Sequence, residues 1–151
     1  MRLNTMDMDQ WSQYAPYVDT LCLPIYPLRI KDKQIEIQRG QVVERVASLV
    51  EKQLTGRLLL LPSITYVGQE EAFFAYVTEI VQDLAGSGFY HLVLVTDGEV
   101  HALCEKVRAE TSAPPMQIIS HGVQTATILT DEQIEQEAGI IYQRIIDMWQ
   151  N

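Results

Sequence analysis

The chain has 151 residues, 47% of them apolar, and sets 20 Asp and Glu against 11 Lys and Arg, for a formal charge of -9 and a pI near 4.7. That length suits one domain with one core, residues 1–151, and is short for two. The negative balance argues against nucleic acid and anionic membrane as partners, because phosphate binding needs clustered positive charge. No apolar run approaches the roughly 20 residues that span a bilayer, which predicts no membrane insertion. The polar, acidic start MRLNTMDMDQ lacks the basic and apolar regions of a secretory signal, so a cytoplasmic location is expected.

In chain order, residues 7–17 suggest a short helix before Pro16 and a first strand. Residues 18–26 form a nearly continuous apolar run, the mark of a strand covered on both faces. Residues 27–40 show no apolar period and read as a long connection. After Gly40, Val43, Val46, Ala47, Val50 and Leu54 share one helical face, with Gly56 placed as a C-terminal cap.

A second buried strand is predicted over 57–62. Glu70 and Glu71 then open a helix carrying Phe73, Val77, Ile80, Val81 and Leu84, ended by Gly86 and Gly88. Residues 91–97 are the third strand. A helix over 99–109 turns Val100, Leu103, Cys104 and Val107 inward, and Pro114 and Pro115 block its continuation.

A fourth strand is expected over 116–120. Thr130 and Gln133 have capping-box spacing, and Ile134, Ala138, Ile141, Ile145 and Met148 or Trp149 make the stripe of a last helix. Such a stripe predicts core, with a homodimer contact through part of it as the alternative. Cys22 and Cys104 lie in apolar patterns without metal-ligand spacing and read as buried, reduced thiols.

Strands alternating with helices imply an α/β fold, a three-layer sandwich with a small, mainly parallel four-stranded sheet, creatininase-like or Rossmann-like in layout. Ligands of such sheets gather at the carboxyl ends of the strands. Candidate residues there are Tyr26 and Arg29 after the first strand, Ser63, Thr65 and Tyr66 after the second, Asp97 and Glu99 after the third, and Ser120 and His121 after the fourth. The expected ligand or partner surface is Ser63, Tyr66, Asp97, Glu99 and His121.

The same residues permit sharper chemistry. Asp97, Glu99 and His121, with Glu70 or Glu71, have donor types suited to a divalent ion. Against that, Asp97-Gly98-Glu99 has an independent explanation as a strand stop and helix cap, and His121 as a turn residue. Ser63, Asp97 and His121 follow the chain order of α/β-hydrolases, yet Ser63 follows Pro62 and is outside any Gly-x-Ser-x-Gly elbow. No glycine-rich phosphate loop is present, and His91 and His101 read as solvated surface. Tyr66, Phe73, Phe74 and Tyr76 make an aromatic cluster in which Phe74 and Tyr76 fall off the core stripe.

Two stretches carry a family resemblance: YVDTLCLPIYPL over 17–28 and GRLLLLPSITYV over 56–67 are similar to the YpiF proteins of Bacillus-type bacteria, which implies lineage and compartment rather than an activity. More distantly, LLLLPSITYVGQEE followed by a helix and GSGFYHLVLVTDGEV resembles the creatininase family. That likeness implies a strand-end site of the two-metal amidohydrolase kind. The ligand motifs differ, however: Cys22 to Arg29 reads CLPIYPLR without acid or histidine, and Thr96-Asp97-Gly98-Glu99-Val100 stands where that family has Asn-Gly-His-Gly-Gly-Asn. The expectation is therefore a non-enzymatic module that binds a protein or a small molecule, with no catalytic residues and no cofactor. The alternative is a metal-dependent hydrolase of a small amide-like substrate, using Asp97, Glu99 and His121.

Overall fold

The computed structural model describes residues 1–111, 116–125 and 127–151. The expected block at Pro114 and Pro115 lies outside them. Asp7 accepts the Gln10 amide and Gln10 answers the Asp7 amide, a capping box that starts helix α1 (Met8–Tyr14) before strand β1 (Thr20–Pro27). Residues 27–40 are not a featureless connection. They hold a hairpin of β2 (Arg29–Lys31) and β3 (Gln34–Glu36), turned through Asp32 and Lys33 at φ 52° and 62°. Neither turn residue is Gly or Asn, so the usual sequence cue of a tight hairpin is missing.

Helix α2 (Gln38–Gln53) leads to β4 (Leu58–Leu60) and β5 (Ile64–Tyr66). The predicted second strand is thus two short ones. Pro62, which has no N–H to offer the ladder, sits in the break, and Thr65 and Tyr66 lie in a strand rather than after one. Helix α3 (Glu70–Ala85), β6 (His91–Asp97), α4 (Gly98–Glu110), β7 (Gln117–Val123) and α5 (Asp131–Gln150) complete the chain. The Thr130–Gln133 capping box forms as its spacing predicts.

The sheet runs β4-β1-β6-β7, every pairing parallel. β4 pairs with the first half of β1 and β5 with its second half, so the two share one edge. The architecture is the three-layer α/β sandwich expected, with five strands instead of four and the hairpin outside the sheet.

Side chains alternate across the strands. Leu21, Leu23, Ile25, Leu92 and Leu94 face α3 and α4; Cys22, Val93 and Val95 face α2 and α5. The stripe Ile134, Ala138, Ile141, Ile145 and Met148 is core, packed with the buried face of α2. Both cysteines are free and fully buried, and burial pushes each thiol up to about 12. A thiol so held stays protonated and is a poor nucleophile. Among the described residues, no helix is long and apolar enough to cross a membrane.

Candidate functional site

Parallel pairing brings the carboxyl ends of β1, β5, β6 and β7 to one rim. Asp97 ends β6 and caps α4: its Oδ1 accepts the Val100 amide at 3.1 Å. Its Oδ2 lies 3.5 Å from Arg39 Nη1, and the side chain is wholly buried. Burial pushes this carboxyl above its ordinary value, while the Val100 amide and the Arg39 guanidinium draw it back. The acidic corner is therefore both a helix cap and one wall of a charged cluster.

Glu99, in the first turn of α4, places one carboxylate oxygen on Arg29 and the other on Arg39. Glu36 closes the network, 2.7 Å from Arg39 Nε and 3.7 Å from Arg29 Nη1. Two arginines and three carboxylates thus tie the hairpin, the start of α2 and the start of α4 together. Arg39 is the residue that sequence reasoning passed over. A signal existed: a cation in a helix's first turn opposes the helix dipole and needs acidic neighbours to hold it there.

A cleft of ≈ 260 Å³ opens between the ends of β1 and β5 and the first turn of α4. Arg29, Glu70 and Glu99 supply charge of both signs, and Tyr66 stacks on Phe73 at 4.5 Å between ring centres. Burial and then Glu70 raise the Tyr66 phenol, partly offset by Arg29. Phe74 packs against the core beneath the Lys106 ammonium, whereas Tyr76 is exposed. A second, shallower hollow on the far side of Glu99 is bounded by Arg39, Gly98, Gly122 and Thr125.

Of the five predicted rim residues, Tyr66 and Glu99 share the first cleft, and Asp97 and Glu99 share Arg39. Ser63 donates instead to Glu44 of α2, which also accepts the Tyr26 hydroxyl at 3.0 Å. His121 Nε2 lies 2.7 Å from Glu137 of α5, on the other helical layer from the cleft. Neither Ser63 nor His121 is hydrogen-bonded to Asp97. Among the described residues, no three His, Cys, Asp or Glu side chains gather as a metal site.

The other histidines are packed rather than solvated. His91 Nδ1 lies 3.5 Å from Thr20 Oγ1, and burial lowers its pKa despite Asp19 nearby. His101 lies between α4 and β7, where Ser120 donates to Glu105 at 3.0 Å and its hydroxyl lies 3.4 Å from His101 Nδ1. Burial would raise Glu105, but hydrogen bonds from Arg108 and Ser120 outweigh it and hold the carboxyl low.

Gly122 makes room for this imidazole: a Cβ there would stand 2.7 Å from His101 Cβ. Gly122→Ala should therefore cost about 1–3 kcal/mol by chemical denaturation. Gly139→Ala is the control, since that Cβ meets nothing within 4 Å and alanine suits a helix better by up to about 1 kcal/mol. Equal stabilities in the two variants would show that His101 yields freely.

Fold and rim together define a parallel three-layer α/β protein with a cluster of charged side chains at the strand ends. More particularly, the chain belongs to the family described as a protein of unknown function (DUF2487), which matches residues 9–144. It is similar to Uncharacterized protein YpiF of Bacillus subtilis (strain 168), 29% identical over 100 residues that cover 66% of this chain and 67% of that protein. Among solved structures it is similar to the N. crassa QDE-2 AGO MID domain at 15% identity and a TM-score of 0.42, over 84% of this chain and 97% of that one. A likeness so low says nothing of function here. None of these matches is to a creatininase, so that resemblance gains no support.

Proposed function

We propose that this protein is a non-enzymatic binding module that holds a small polar molecule in the rim cleft between β1, β5 and α4. The observation that carries the reading is the cleft's position and lining together: it sits at the carboxyl ends of parallel strands and combines Arg29, Glu70 and Glu99 with the Tyr66–Phe73 stack. Such a lining suits a compound that joins a flat or apolar group to a donor and an acceptor, because the rings offer a stacking face and the charged groups fix orientation. Amino acids and nucleosides have that make-up. The cleft's volume matches ligands of this size better than larger ones.

The test is thermal unfolding of the full chain against a panel of the standard amino acids, nucleosides and nucleoside monophosphates. At least one should raise the melting temperature saturably, by the equivalent of about 2.7 kcal/mol at a hundredfold excess over Kd. Glu70→Gln and Tyr66→Ala should each abolish that rise. A panel with no saturable response, or a response unchanged in both variants, would overturn the reading.

A further inference from the structure

The charged groups that line the rim cleft are not equally available. Arg29 already has carboxylates on both terminal nitrogens, with Nη2 on Glu99 and Nη1 3.7 Å from Glu36. Glu99 is engaged in turn, one oxygen on Arg29 and the other on Arg39. Glu36 and Asp97 complete the set around Arg39. Two arginines thus stand among three carboxylates before Glu70 is counted. Among the described residues Glu70 forms no ion pair, and it is exposed where it lines the cleft. The Tyr66 phenol, raised by burial and then by Glu70, stays neutral and brings no charge of its own. Glu71 shares the first turn of α3 with Glu70 but is outside the cleft lining, so the positive end of that helix keeps an acidic residue without Glu70.

This imbalance selects the charge of the occupant. A carboxylate or phosphate in the cleft would meet Glu70 and Glu99, and would have to displace a protein carboxylate to reach Arg29. A cation would meet the unpaired Glu70 carboxylate beside the Tyr66–Phe73 rings, and both attract positive charge. The overall charge of -9 favours the same sign at longer range. A divalent metal is poorly served, because among the described residues no three His, Cys, Asp or Glu side chains gather to hold one.

Resting on the reading of the rim cleft as a binding site, we propose that its ligand is a small organic cation. An ammonium or guanidinium sits on Glu70, and the flat group joined to it stacks on Tyr66. Probes that share one ring separate the charges: tyramine carries only the ammonium, tyrosine both ammonium and carboxylate, and desaminotyrosine only the carboxylate. Isothermal titration calorimetry with the full chain near neutral pH should show tyramine binding about tenfold tighter than tyrosine, and desaminotyrosine weaker still.

Glu70→Gln should weaken tyramine by about tenfold or more, and Glu70→Lys should reverse the ranking in favour of desaminotyrosine. Glu71→Gln is the control, since it changes the same helix end but not the cleft, and should leave the affinities unaltered. Equal losses in Glu70→Gln and Glu71→Gln would overturn the proposal. Desaminotyrosine binding as tightly as tyramine, with Tyr66→Ala abolishing both, would overturn the cation while the cleft remained a binding site. Tyramine failing to bind while another compound of the panel binds would do the same. Silence from tyramine and the whole panel would bring down the binding-site reading along with it.

Discussion

Replacing Ile141 by alanine is expected to lower the unfolding free energy by about 2–5 kcal/mol. Ile141 is fully buried at the middle of the α5 stripe, in the cluster that includes the buried face of α2 and the side chains Cys22, Val93 and Val95 of the sheet. Truncation removes apolar atoms from a close-packed interior and leaves a cavity that two helices and a sheet cannot close without moving together. The neighbouring Ile140 is 50% exposed, so Ile140→Ala should stay within about 0.5 kcal/mol. Urea denaturation of both variants measures the difference. Comparable losses at the two positions would mean that this face of α5 is covered too, and would reopen the homodimer contact considered for the helix.

Arg39→Gln should destabilise the protein by about 1–3 kcal/mol at neutral pH, because it leaves the buried Asp97 carboxylate without its guanidinium. The sign of the pH dependence follows from burial. Asp97 is raised above its ordinary 3.8, so the folded state holds the proton more firmly than the unfolded chain. Its contribution is therefore fully present below that ordinary value and is lost as pH rises through the folded one.

Removing Arg39 raises the folded value further, so the deficit should be small in acid, where Asp97 is protonated with or without Arg39, and should grow toward neutrality. Adding Asp97→Asn to Arg39→Gln should recover most of the loss at neutral pH, since asparagine can still cap α4. A deficit that Asp97→Asn fails to relieve would show that Arg39 acts through Glu36 and Glu99 alone, and one independent of pH would show that it acts through none of the three carboxylates. Denaturation curves of the parent and both variants across the acid range read these outcomes directly.

How much could be read beforehand depended on the range of the interaction. The third strand was legible to the residue, as 91–97, because five consecutive apolar or small side chains, Leu92 to Thr96, are buried on both faces of a central parallel strand. The last helix was legible from its stripe and from Thr130 and Gln133, all within reach of one helical period. The hairpin escaped because its turn uses Asp and Lys and its isoleucines pair with each other rather than with a core. Pro62 was visible, but it was taken as the end of a strand rather than as a gap between two strands that both pair with β1.

The site divides in the same way. Asp97 and Glu99 were marked as rim residues by the strand stop they follow, and Tyr66 by its place after the second apolar run. Ser63 and His121 were grouped with them as residues following predicted strands, yet His121 lies within β7 and the two bond Glu44 and Glu137 instead. Chain order names the edge on which a residue falls but not the direction in which its side chain leaves the sheet.

The sequence by itself determined the layered α/β plan, the parallel strands, the capped helices and the acidic, cysteine-inert character of the chain, because period, capping and charge are properties of neighbouring residues. Only the tertiary structure decided that Arg39 meets Asp97 across 58 positions, that Arg29 meets Glu99 across 70, and that a ribbon's apolar side faces solvent. Those contacts join elements whose relative placement comes from burying both sheet faces at once, and no local pattern carries that information.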